Sequence, residues 1–151
     1  MERRMVSMVN PAEGAATFAR QVKKASDAEL RELVAGDRRK TVLGDLIAGM
    51  PDVFRPDRAG ALQAVVHWHV TGPADGEDDV FELEIAGGRC TVSPRPARTP
   101  RLVLHLDAVN FVKMTTGNAN ARMLFLRGKL KARGDLGLIN KFPALFDVPR
   151  P

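Results

Sequence analysis

Three histidines are the residues of this chain whose type and spacing come nearest to chemistry. His67 and His69 stand two apart, so in a strand they share a face, and His105 falls in a second segment of strand pattern. Three imidazoles can bind zinc. The spacing has no fixed helical or cysteine-linked ligand pattern, so the reading is three exposed or half-buried sheet residues and no metal. Cys90 alternates with Val92 toward the apolar side of its segment and reads as a small buried hydrophobe, not a nucleophile. Asp107 precedes an apolar run and reads as a helix cap, not a base. No Gly-x-Ser-x-Gly, Walker loop or dinucleotide fingerprint occurs. The residues therefore offer no nucleophile–base pair and no cofactor loop. A protein without catalytic residues or cofactor is expected.

Charge gives a second chemistry. The net charge is +5, and residues 101–151 hold nine Lys or Arg against three Asp. Lys129, Lys131 and Arg133 alternate with Leu130 and Ala132 between Gly128 and Gly134, the pattern of a short strand with one basic face. Such a face suits the anionic headgroups of a membrane, and Arg38-Arg39-Lys40 would add to it. The competing reading is solubility and protection of a sheet edge. Zinc-finger spacing and aromatic RNA-recognition patterns are absent, so nucleic acid is not an expected partner.

The elements that position these residues follow from periodicity. At 151 residues, one domain over 1–151 is expected, with a helical N-terminal segment over residues 1–58 and a sheet-and-helix body over residues 60–146. Pro11 to Lys24 has a weak helical period. Ser26-Asp27-Ala28-Glu29 reads as a capping box ahead of Leu30, Leu33 and Val34. Asp37 opens a further helix through Met50, stopped by Pro51. From Gly60 the pattern becomes alternating. Leu62, Ala64, Val66, Trp68 and Val70 form one strand, and Phe81, Leu83 and Ile85 a second. After the Gly87-Gly88 turn, Arg89 to Ser93 forms a third. Pro94, Pro96 and Pro100 make residues 94–100 a loop, and Leu102, Leu104 and Leu106 mark a fourth strand. Helices follow Asp107 and Gly117, then the basic strand, then a last helix through Phe142. The order argues an α+β fold with a five-stranded, mainly antiparallel sheet, covered by helices on its apolar face alone. With aromatic content of 5% and no Tyr, aliphatic side chains are expected to build the core.

One cysteine allows no internal disulfide, which fits a reducing cytoplasm. No run of about 18 apolar residues suggests a membrane span. The charged start Met1-Glu2-Arg3-Arg4-Met5 is unlike a secretory signal, and Val148-Pro149-Arg150-Pro151 is unlike a peroxisomal address.

Three blocks carry a family resemblance: the hairpin Phe81 to Val92, the strand-to-helix step Leu102 to Phe111, and Gly117 to Asp135 closed by Leu145-Phe146. In order and spacing they resemble the sterol carrier protein family, the SCP-2-like non-specific lipid-transfer module. The resemblance implies an apolar tunnel between sheet and helices that holds a fatty acyl chain, acyl-CoA, phospholipid or sterol, without covalent chemistry. By position it assigns Phe81, Leu83 and Ile85 to the floor. It assigns Leu104, Phe111, Met114, Met123, Leu124, Phe125, Phe142 and Leu145 to the walls and roof. Periodicity alone makes the same residues ordinary core. The first sixty residues are longer than the single leading helix of that family, and their extra helix would roof the tunnel or fill it. The alternative is a closed SCP-2-like interaction protein, a homodimer or the partner of another protein, with no lipid.

Overall fold

Alternation of apolar and polar residues builds the sheet. A computed structural model of the chain describes residues 8–72 and 76–151. The charged start and the tip of the acidic turn, residues 73–75, lie outside the described residues. The strands are β1 (Ala64–Thr71), β2 (Asp79–Ala86), β3 (Arg89–Ser93), β4 (Leu102–Asp107) and β5 (Lys131–Gly134). In β1, Ala64, Val66, Trp68 and Val70 are buried and the residues between them are half-buried. The order is β3-β2-β1-β4-β5. All neighbours are antiparallel except β1 and β4, which run parallel. The β2–β3 hairpin turns at Gly87 and Gly88, both at positive φ, as the twist of a two-residue hairpin requires.

A parallel neighbour requires a crossover, and the proline-rich loop 94–100 supplies a portion of it across the outer face of the sheet. Glu82 holds this strap. Its Oε1 accepts the backbone N–H groups of Ala97 at 3.0 Å and Arg98 at 2.8 Å, and its Oε2 accepts the Arg98 guanidinium Nη2 at 3.1 Å. His67 Nε2 lies 3.1 Å from Oε1. Glu82 is therefore buried although it belongs to the polar register of β2. The Arg98 backbone N–H is the main cause that holds its carboxyl well below the usual range, at about 2, with the Ala97 N–H, His67 and the Arg98 side chain adding to it.

Helices cover the other face: α1 (Ala15–Lys24), α2 (Asp27–Leu33), α3 (Arg39–Ala48), α4 (Pro56–Ala59), α5 (Ala108–Thr115), α6 (Ala121–Leu126) and α7 (Leu136–Lys141). Asp107 caps α5 by accepting the Asn110 N–H, and Ser26 with Glu29 forms the expected capping box of α2. Helix α5 lies against β1 and β4, and α1, α2 and α3 pack on it in turn. Arg39 ties this layer to the sheet. Its guanidinium donates to Asp79, to the Val34 carbonyl and to the Thr71 carbonyl, each within 2.9 Å. Each of its three nitrogens therefore has a hydrogen-bond acceptor, which is what a buried charge requires. The tail returns to the same layer: Arg55 N–H donates to the Leu145 carbonyl and Asp147 N–H to that of Val53.

Several expectations change. Aliphatic side chains do make up most of the core, and the scarce rings join them at its centre: Phe18, Phe54, Trp68, Phe81, Phe111 and Phe142 are all buried. Phe111 sits edge-on to Trp68, with centroids 5.7 Å apart, and stacks with Phe81 at 6.4 Å. Leu62 precedes β1 and is only half-buried. Helix α3 starts at Arg39, after a turn that includes Asp37. Strand β5 is shorter than its alternation suggests, because Gly128 at positive φ ends α6. The N–H of Gly128 bonds the Phe125 carbonyl and that of Lys129 the Leu124 carbonyl, which closes a Schellman cap. Lys129 therefore lies off the strand. Arg38 donates to the Met8 carbonyl and Asn10, and Arg39 is buried, so Lys40 is the exposed cation of that triplet.

Phe111→Ala removes a ring that meets two others and is expected to cost about 3–5 kcal/mol, read as a lower denaturant midpoint. For Glu82 the sign follows from the direction of its shift. A carboxyl whose folded pKa of about 2 lies below its ordinary 4.5 contributes stability that is complete above pH 4.5 and is lost as pH falls toward 2. Wild type should therefore lose more stability than Glu82→Gln between pH 5 and pH 2.5, measured by urea unfolding. Parallel curves would show that this carboxylate is not the group responsible.

Candidate functional site

The space between the apolar sheet face and the helices is where a lipid site would form. Phe81, Leu83, Ile85, Leu104, Phe111, Leu124, Phe142 and Leu145 are all buried there in one continuous core, with Met114 half-buried against it. Strands β2 and β4 position the first four by alternation, and α5 brings Phe111 down onto Trp68. Phe142, on the short turn after α7, meets Trp68 at 5.9 Å and Phe146 at 5.2 Å. These rings stand in contact, so the interior is occupied by side chains. Among the described residues, one buried side-chain polar atom is left over within it: the Trp68 indole N–H has no hydrogen-bond partner. An unsatisfied donor of this kind costs about 1–3 kcal/mol.

Two residues assigned to the tunnel roof face the other way. Met123 and Phe125 are each 44% exposed, and Leu126 is 76% exposed. Helix α6 has six residues and buries only Leu124, because its Asn120 cap and Schellman end leave room for one inward position. The result is a short helix that presents Met123, Phe125 and Leu126 to solvent, an arrangement that marks contact surfaces. Leu136, at the start of α7, is also 76% exposed.

A groove of about 390 Å³ runs between α2, α5 and α6. Val109 and Leu124 provide its apolar lining, and Arg31, Lys113, Arg127 and Lys129 its cations. Its two carboxylates are engaged, Asp27 with Lys113 and Asp107 in capping α5. Lys113 also lines a second groove of about 410 Å³, beside Val22, Lys23, Gly117 and Pro151. The basic residues read from one strand are thus divided. Lys129 lies in the first groove, whereas Lys131 and Arg133 pair with His105 and Val103 and project from the outer face of the sheet. Arg31, Lys113 and Arg127 were not legible as partners of Lys129, because helix packing alone brings them together.

The outer face also separates the histidines. His67 is held by Glu82. His69 and His105 are paired across the parallel β1–β4 ladder, with ring centroids 5.2 Å apart. Asp78 joins them from the end of the β1–β2 connection, its Oδ2 3.4 Å from His105 Nε2. Its other oxygen accepts the Gly72 N–H at 2.9 Å. Burial, and then the neighbouring His105, hold the His69 imidazole below its ordinary value. Asp78 is the functional candidate that sequence reasoning missed. Its only signal was membership of an acidic run. Cys90 is 9% exposed, and burial pushes its thiol up to about 12, which leaves it unreactive at neutral pH.

No helix among the described residues is long and apolar enough to cross a membrane. The sequence matches the SCP-2 sterol transfer family over residues 45–147. It is 32% identical over 100 residues to "Hydroxysteroid dehydrogenase-like protein 2" of Xenopus tropicalis. That match covers 66% of this chain and 23% of the relative, so the chain spans about a quarter of the length of the curated relatives it matches. Among solved structures it is similar to palmitated SCP2L2 from Aedes aegypti, with a TM-score of 0.54 and 12% identity over 68% of this chain and 88% of that one. It is also similar to the sec-alkylsulfatase Pisa1 from Pseudomonas sp., with a TM-score of 0.56 and 14% identity over 97% of this chain and 26% of that one. These two likenesses show a shared fold, and the second takes in the N-terminal helices. The family match spans more than half of the chain, and its five-stranded mixed sheet with helices on the apolar face is the SCP-2 fold, so the chain belongs to the SCP-2 sterol transfer family.

Proposed function

We propose that this chain is a non-catalytic lipid-binding or lipid-carrying domain that works at a membrane surface. The observation that carries the reading is the pairing of an outward apolar helix with a cationic groove. Met123, Phe125 and Leu126 stand exposed on α6, and Arg127 and Lys129, which follow it directly, line the groove with Arg31 and Lys113. Apolar side chains in the headgroup region, beside cations contributing on the order of 1 kcal/mol each, suit docking on an anionic bilayer.

In this reading the acyl chain enters between α6 and the sheet, and the rings of Phe81, Phe111 and Phe142 yield to it. Met114, Leu124 and Leu145 complete the apolar wall, above Leu83, Ile85 and Leu104. The buried Trp68 N–H is then a donor for a carboxylate, hydroxyl or ester oxygen on the ligand. Lys131 and Arg133, on the outer sheet face, contribute positive potential without direct headgroup contact. The helices of residues 1–58 and the body 60–146 act as one domain. The tail hydrogen bonds to residues 53 and 55 support that reading, as does the packing of α1, α2 and α3 on α5. One unreactive cysteine suits a reducing cytoplasm.

A second reading rests on the filled interior. Rings in contact around Trp68 favour a closed interaction protein, whose exposed α6 meets a second copy or another protein. Fluorescent fatty acids of increasing length separate the two. A carrier binds them saturably, and each further buried CH₂ adds about 0.8 kcal/mol until the space is full. Phe125→Asp should abolish sedimentation with anionic vesicles. Lys129→Ala should weaken it in a salt-dependent way and Lys131→Ala should change it least. Absence of saturable binding at every chain length, with no lipid found by native mass spectrometry, would leave the interaction protein standing.

A further inference from the structure

We propose that His69, His105 and Asp78 form a binding site for one divalent transition-metal ion on the outer face of the sheet, with zinc as the ion to test. The inference is independent of the lipid reading, because this face lies opposite the helix layer. Each residue offers one ligand atom, and these atoms all lie within 4.8 Å of one another. Four-coordinate zinc with bonds of about 2.0–2.1 Å places its ligands somewhat closer than this, a distance closed by small side-chain rotations. The His105–Asp78 separation of 3.4 Å already has that spacing.

Two features make the cluster more than a chance approach of polar residues. The backbone fixes the two imidazoles side by side, because His69 and His105 are register partners in a parallel ladder and project to the same face. The carboxylate is oriented by a second partner, since the Gly72 N–H holds Oδ1 and leaves Oδ2 toward His105. Outer contacts of this kind set ligand orientation in metal sites. The contact is built in at Gly72 itself: a side chain there would run into the backbone of Glu77, so this position keeps the turn closed and Asp78 in place.

The same geometry excludes His67, whose Nε2 is held by Glu82. It also predicts an open site. Two imidazoles and one carboxylate leave the fourth position of zinc to water or an exogenous ligand. Lys131, register partner of His105, and Arg133 place positive charge beside the cluster and oppose a dication, so Asp78 is the decisive ligand.

The test is a zinc titration of the tag-free protein at pH 7, followed through the ring nitrogens of the histidines by NMR. His69 and His105 should shift together to saturation at one equivalent, with His67 unmoved, and the wild type should gain thermal stability. His105→Ala should abolish both signals, and Asp78→Asn should weaken binding by about tenfold or more. His67→Ala should bind as the wild type does. Circular dichroism reports whether each variant is folded, and both ligand positions are substantially exposed, so folded variants are expected. Equal shifts of all three histidines, undiminished binding by a folded His105→Ala variant, or no saturable binding by the wild type would each overturn the proposal.

Discussion

The contact of Phe111 with Trp68 and Phe81 is the constraint on which the rest of the structure depends. A five-stranded sheet with one apolar face must bury that face, and β1 is its central strand. Helix α5 does this by lowering Phe111 between the largest side chain of β1 and the first ring of β2. Of the N-terminal helices, α1, α2 and α3 all gather on α5. Phe142 then closes the remaining side of Trp68, which draws the C-terminal turn and the tail against residues 53–55.

The two faces of the sheet are thereby given different work. The helix-covered face is packed with rings and aliphatic side chains, with the Arg39 guanidinium bonded where the helix layer meets the sheet and the Trp68 indole N–H left without a partner. The outer face carries the polar chemistry: the Glu82 strap, the His69–His105–Asp78 cluster and the cations of β5. Glu82 shows how a polar-register residue becomes buried without harm. Two backbone N–H groups, a guanidinium and an imidazole replace the water it loses.

Helix α6 breaks this division. It belongs to the helix layer, yet it contributes only Leu124 to the core and leaves three large apolar residues in water. Six residues between an Asn cap and a Schellman turn cannot present a full amphipathic face. The groove beside it gathers cations from α5 and the turn after α6, and from α2, far from both in the chain.

Much of this was decided locally and was therefore legible in the residues. Alternation in residues 64–70, 81–85 and 102–106 set the buried face of each strand, and Asp107 and Ser26 capped the helices they preceded, because these effects act over a few residues. The family resemblance was legible for the same reason, since its blocks are strand, turn and cap patterns. Other features depended on what lies across the chain. Periodicity could not tell that Met123 and Phe125 face outward while Leu124 faces inward, because the partner of a short apolar helix is chosen by packing. The basic alternation at 129–133 did not show that a Schellman cap removes Lys129 from the strand. Nor did two histidines at i and i+2 show that His67 would be taken by Glu82 while His69 meets His105 and Asp78. Strand register and the crossover of residues 94–100 settled that pairing, and both are properties of the assembled sheet.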